Sequence, residues 1–168
     1  MKREQEITGE LRRLREQVHS GNESELWIWV IPCRLACAQR PLRDHVQFGG
    51  RTPLPAEARL AVERWVDRAV DAGFRAVISL LAEAQHERYY IRGGISLHPG
   101  GLYGYYESRG LQVANIPCTD FQRPSEYQMR QVWDSFRRLP KPVLLNCSAA
   151  IDRTAPVAAY ICESEGAA

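Results

Sequence analysis

Apolar residues recur at Ile7, Leu11, Leu14 and Val18, in steps of four, three and four that place them on one face of a helix over 4–19. Ser20-Gly21-Asn22 ends that helix. "ELWIWVI" is rich in aromatic and β-branched residues and stops at Pro32, which predicts a short strand. From 33 to 55 the pattern lapses: Gly49-Gly50 and three prolines predict a loop. Helical spacing resumes over 56–72 with Val62, Trp65, Val66, Ala69 and Val70, and Gly73 is its stop. "FRAVISLL" reads as a buried strand, "LYGYYESRG" as a short helix ended by Gly110, and "LQVANI" as a strand running into Pro117.

After the loop "PCTDFQRP", Ser125 and Gln128 have capping-box spacing ahead of Met129, Val132, Trp133 and Phe136. "PVLLN" is short and apolar, as an interior strand is. The stretch after Arg153 reads as a helix that tolerates Pro156 in its first turn. It is apolar nearly all round from Val157 to Cys162, which predicts burial. Strands alternating with helices predict an α/β domain with a central, mainly parallel sheet flanked by helices.

Length and charge narrow the function classes. At 168 residues the chain fits one domain, and 45% hydrophobic with 25% charged residues is ordinary for a globular core. A net charge of +2, from 22 basic and 20 acidic residues, is too balanced for an electrostatic grip on nucleic acid or an anionic membrane. Neither partner is expected. No apolar run approaches the length of a membrane span, and "MKREQEITGELRRLREQ" lacks the apolar core of a signal peptide, so a cytoplasmic location is expected.

The five cysteines are scattered, a poor disulfide framework that fits reduced thiols. Cys33 and Cys37 are spaced like two metal ligands, but no second pair or histidine cluster completes a zinc site. Arg34, Arg40, Arg43 and Arg51 against Asp44 alone make 33–55 locally cationic, which reads as a solvated loop.

Candidate chemistry gathers in "VLLNCSAAIDRTAPVAAYI", residues 143–161. A strand, a loop and a helix in that order place the loop where ligands of open α/β sheets bind. Unpaired N–H groups and the positive end of the helix dipole favour an anion there. Cys147 opens the loop, and a cysteine in such a field ionises more readily to a nucleophilic thiolate. Arg153 closes it, and a guanidinium binds two phosphate oxygens at once. The five residues between them, Ser148, Ala149, Ala150, Ile151 and Asp152, are enough for the chain to curl around one tetrahedral anion.

"NCSAAIDRT" resembles the signature of the cysteine-based protein tyrosine phosphatase superfamily, in particular its small dual-specificity-phosphatase-like members, HC-x2-G-x2-R followed by Ser or Thr. The resemblance implies a phosphatase-like single domain that hydrolyses phosphomonoesters through a cysteinyl-phosphate, with no cofactor and no metal. It makes Cys147 the nucleophile, Arg153 the phosphate-binding arginine and Thr154 the hydroxyl that supports the departing thiolate. "TDFQRPS" looks like the family's general-acid loop, which puts Asp120 in the acid role, with Glu126 as the reserve candidate. Cys118 reads as a buried thiol rather than a redox partner of Cys147. The resemblance covers roughly residues 25 to 162; residues 1–24 are then an N-terminal helical extension and 25–168 the catalytic domain.

Two positions depart from the signature: its histidine is Asn146 here, and its glycine is Ala150. Asn146 can donate through its amide but carries no charge. Alanine where a loop needs positive φ costs on the order of 1 kcal/mol. Asp152 beside Arg153 either repels a dianionic substrate or orients the arginine by an ion pair. No lysine lies within the loop, unlike in the family members that act on phosphoinositides, so the resemblance implies a phosphotyrosine-containing protein or a small aryl phosphate as substrate rather than a highly charged lipid headgroup. A phosphate-binding pseudophosphatase is the alternative. A rhodanese-like loop is typically shorter between Cys and Arg, and low-molecular-weight phosphatases and arsenate reductases carry their cysteine loop near the N-terminus.

Overall fold

The computed structural model describes residues 2–167; positions 1 and 168, the outer ends of the two expected segments, lie outside the described residues. Its sheet holds five strands: β1 (Ile28–Ile31), β2 (Leu35–Ala38), β3 (Ala76–Ser79), β4 (Gln112–Asn115) and β5 (Val143–Asn146). Their spatial order is β1-β2-β5-β3-β4. Edge strand β1 runs antiparallel to β2, and every other pair is parallel, so the mainly parallel sheet expected from the sequence is present. Every residue of β2, β3 and β5 is buried. Consecutive burial means that both faces of the sheet are covered.

The helices are α1 (Glu4–His19), α2 (Arg59–Asp71, preceded by one 3-10 turn over Ala56–Ala58), α3 (Glu83–Tyr90), α4 (Gly101–Ser108), α5 (Glu126–Arg138) and α6 (Thr154–Ala167). In α1 the expected stripe of Ile7, Leu11, Leu14 and Val18 is buried in the common core. Each such side chain stabilises the fold by about 1.5–3 kcal/mol as an upper bound. α1 packs on α6 and β1, and α5 also packs on α6. Gly73 closes α2 with φ +94°, and Phe74 N–H donates to Ala69 O at 3.2 Å, a bond that carries the chain out of the helix and towards β3. The capping box of α5 is formed: Gln128 N–H donates to Ser125 Oγ at 3.1 Å, and Ser125 N–H donates to Gln128 Oε1 at 2.9 Å.

Two elements differ from the sequence expectation. Leu35–Ala38 was expected within a loop and is instead strand β2, fully buried between β1 and β5. Leu-Ala-Cys-Ala carries little intrinsic strand preference, and it is the neighbouring strands that impose the conformation. Helix α3 also lacked a sequence signal, because its apolar residues Tyr89 and Tyr90 come together at one end rather than at helical intervals.

Candidate active site

The carboxyl ends of the parallel strands lie level, with Ala38 and Ser79 both opposite Asn146, and Asn115 opposite Ser79. The chain that leaves those ends supplies the candidate groups: Arg40 after β2, Gln85 after β3, Asp120 after β4 and Cys147 after β5. This is the rim at which open parallel sheets bind ligands. A polar brace holds it. Asn115 Nδ2 donates to Ser79 O at 2.9 Å and to Leu81 O at 3.2 Å, and the Tyr103 hydroxyl bonds Ser79 Oγ at 2.9 Å.

Residues 147–153 form the loop between β5 and α6. Cys147, Ser148, Ala150, Arg153 and Thr154 are buried, Ala149 and Ile151 are half-buried, and Asp152 is exposed. Among the described residues, none of the backbone N–H groups of 148–153 donates to a protein acceptor. Buried polar groups of a folded chain are nearly always paired, so a run of free N–H groups at a helix start is suited to an anion. Ala150 sits at φ +68°, in the left-handed region that favours glycine.

Arg153, 1% exposed, is held on four sides. Its Nη2 donates to Asp120 Oδ1 at 3.0 Å, and its Nη1 donates to Gln85 Oε1 at 2.7 Å, Cys118 O at 3.2 Å and Leu80 O at 3.3 Å. Gln85 also donates through Nε2 to Asp120 Oδ2 at 3.0 Å, which closes a triangle of Asp120, Gln85 and Arg153. Among the described residues, Arg153 Nε is buried without a partner. The ion pair of Arg153 is therefore with Asp120, and the one considered for the adjacent Asp152 is not formed.

Cys147 and Arg153, both buried, thus bound one loop, Asp120 is against the arginine, and Thr154 begins α6 with its Oγ1 buried and without a partner among the described residues. Glu126 lies on α5 near Arg130, 3.7 Å away, with its side chain 77% exposed and, among the described residues, no ion pair with Arg153. Burial pushes the Cys118 thiol up to about 11, against the opposing charge of Arg153, so it stays protonated at neutral pH. Among the described residues, no three of His, Cys, Asp and Glu are grouped so as to hold a metal, and no helix is long and apolar enough to cross a membrane.

Asn146 departs from its expected donor role. Its side chain is fully buried and neither amide atom has a hydrogen-bond partner among the described residues. Close to it is the Tyr106 hydroxyl, also buried and without a hydrogen bond among the described residues; burial raises that phenol well above its ordinary value near 10.

The solvated-loop expectation for 33–55 holds for Arg34, which pairs with Glu165 at the surface at 2.6 Å, and for exposed Arg51. It fails for Arg40, which is 1% exposed. The Arg40 N–H donates to Ser148 O at 3.0 Å, its Nε to Ser148 Oγ at 3.2 Å and its Nη2 to Gly50 O at 2.6 Å. The guanidinium lies 3.6 Å from the Tyr89 ring centroid. Arg40 therefore ties the β5–α6 loop at Ser148 to the turn at Gly50. Sequence reasoning missed both Arg40 and Gln85; the signal available was position, since each follows the carboxyl end of a parallel strand.

No protein-family model matches the sequence, and no curated protein matches it. Among solved structures the fold is similar to that of Tk-PTP in its active form, with TM-score 0.54 and 22% identity over 85% of this chain and 76% of that one. It is similar to a putative phosphatase (DUF442) from Shewanella putrefaciens, with TM-score 0.52 and 18% identity over 85% and 74%. It is also similar to kinase associated phosphatase bearing serine for its catalytic-site cysteine, with TM-score 0.59 and 14% identity over 83% and 72%. At these identities the likeness is one of fold.

Proposed function

We propose that the chain is a phosphomonoester hydrolase, protein tyrosine or dual-specificity phosphatase-like, that acts through a cysteinyl-phosphate on Cys147. The observation that carries this reading is the loop 148–153, whose N–H groups lack protein acceptors and which is bounded by Cys147 and by Arg153 with its unpartnered Nε. The phosphatase-like fold supports the same reading.

In the proposed reaction the substrate phosphate takes the loop N–H groups and Arg153, which carry the charge of its equatorial oxygens. Cys147 Sγ, as thiolate, attacks phosphorus in line, and the phosphorus–oxygen bond to the alcohol or phenol breaks. The incoming phosphate displaces the Asp120 carboxylate from Arg153, the proton lost as the Cys147 thiol ionises passes to Asp120, and Asp120 gives it to the leaving oxygen. Water then attacks the phosphocysteine, Asp120 takes its proton, the S–P bond breaks, and Thr154 Oγ1 donates to the departing thiolate. Every proton and bonding pair is accounted for by these groups and water. A phosphotyrosine-containing protein or a small aryl phosphate is the proposed substrate.

A second reading, a pseudophosphatase that binds phosphate with little turnover, is favoured by the unpartnered Asn146 amide and the left-handed Ala150. Hydrolysis of para-nitrophenyl phosphate in the presence of chelator, blocked by vanadate and abolished in Cys147→Ser, supports the enzyme. Inert protein that still binds a phosphotyrosine peptide supports the binding module.

A further inference from the structure

Resting on the phosphatase reading, we propose that a cleft beside the anion loop binds a second phosphate of the same substrate, so that the preferred ligand is a phosphomonoester carrying two phosphates. The cleft has a volume of about 560 Å³ and is walled by α1, by the turn over residues 43–50 and by Ile151 of the loop itself. A molecule with one phosphate among the N–H groups of 148–153 therefore has a second binding wall next to it.

The wall is rich in guanidinium groups. Arg12 and Arg15 come from the polar face of α1, and Arg43 from the turn. Asp44, 6% exposed, is shared between Arg15 at 3.0 Å and Arg43 at 3.4 Å. Among the described residues, Arg12 has no ion pair and Arg40 no carboxylate partner, and the buried Nη1 of Arg40 has no hydrogen bond. Three guanidiniums, Arg12, Arg15 and Arg43, thus line the cleft against two carboxylates, Asp44 and Glu16, so the surplus is positive, and Arg40 adds a buried positive charge behind the turn. Burial lowers the proton affinity of Arg43; Asp44 opposes this, and the like charges of Arg15 and Arg40 add to it. An anion in the cleft relieves that repulsion.

The cleft and the loop are also one mechanical unit. Arg40 ties Gly50, in the cleft wall, to Ser148, in the loop. Gly50 N–H donates to Arg43 O at 2.9 Å, and a side chain on Gly49 would meet His45 O at 2.5 Å, so the turn is tight and sets Arg43 in place.

Calorimetric titration of the Cys147→Ser protein tests this with two pairs of probes at fixed ionic strength. One pair is phenyl phosphate and benzene-1,3-diyl bisphosphate; the other is a phosphotyrosine peptide without and with a neighbouring phosphoserine. The doubly phosphorylated probe is expected to bind roughly tenfold more tightly, because a phosphate on guanidiniums forms charge-assisted hydrogen bonds. Arg12→Ala is expected to reduce that ratio to about threefold or less, and Arg12→Lys to restore part of it. A gain in one pair alone supports the cleft and assigns the source of the second phosphate. Equal affinities within both pairs, or a ratio unmoved by Arg12→Ala, overturn the cleft while leaving the phosphatase reading in place. If no probe binds, the cleft and the phosphatase reading both fall.

Discussion

Asp120 Oδ1 stands 3.0 Å from Arg153 Nη2, so the carboxylate proposed as general acid is the counterion of the guanidinium proposed to hold phosphate. Arg153 is 1% exposed, and a buried charge without a partner is costly, so some anion must occupy that position. In the free protein the anion is Asp120; in the proposed reaction the substrate phosphate takes its place, and Asp120, once protonated, turns to the leaving oxygen. On that proposal, binding and acid catalysis are coupled through a single exchange of partners.

Asp120→Asn separates the two roles. It keeps the shape beside Gln85 but removes both the competitor for Arg153 and the proton donor. The expected outcome is a kcat for para-nitrophenyl phosphate reduced about 100- to 10,000-fold, together with tighter inhibition by vanadate. A purely structural aspartate would instead weaken vanadate.

Ala150 at φ +68° is a strained position that glycine occupies freely. Ala150→Gly is expected to raise stability by up to about 1 kcal/mol, a Tm increase of about 2–4 °C for a chain of this size, read by calorimetry. Combined with Asn146→His it is expected to raise kcat by about tenfold, the equivalent of about 1.4 kcal/mol in the barrier. No gain in rate would mean that neither departure limits turnover.

Arg40 holds Ser148 and Gly50 through three hydrogen bonds while its guanidinium lies over Tyr89. Lysine offers neither the planar fork nor the stacking. Arg40→Lys is expected to cost about 1–3 kcal/mol of stability in urea titration and to raise the KM for phosphate esters, because the loop loses its brace.

His86, on α3 beside Gln85, is pushed down to about 4 by burial. Its Nε2 accepts from Leu102 N–H at 3.1 Å, which requires that nitrogen to be unprotonated, and its ring stacks on Tyr103 at 3.9 Å. An unfolded imidazole titrates near 6.5, so between about 6.5 and 4 the unfolded chain binds more protons than the folded one. Stability from this group is whole above about 6.5 and falls as pH drops towards 4. A Tm series across that range is expected to decline, and less steeply in His86→Gln.

The strand-loop-helix unit at 143–161 was legible because a buried strand, a cysteine, an arginine and an apolar helix follow one another without interruption, and the neighbours of Cys147 are sequence neighbours. The contacts of Arg153 were not. Gln85, Leu80 and Cys118 reach it from other strand ends, which only the sheet order brings together. Arg40 was misread for a related reason. An arginine after "LACA" looks solvated until that tetrapeptide is recognised as an interior strand, and its burial follows from the position of β2 between β1 and β5. The strain at Ala150 was inferred by comparison with a signature glycine, whereas the isolation of Asn146 depends on packing around the end of β5.

The central claim is that Cys147 carries phosphate, and rapid-quench intact-mass measurement tests it most directly. Asp120→Asn protein mixed with para-nitrophenyl phosphate and quenched in acid is expected to gain the mass of one phosphoryl group, mapped to the peptide containing Cys147 and missing in the Asp120→Asn/Cys147→Ala double variant. Steady hydrolysis with no phosphoryl adduct on that peptide, or an adduct that persists without Cys147, would contradict the account.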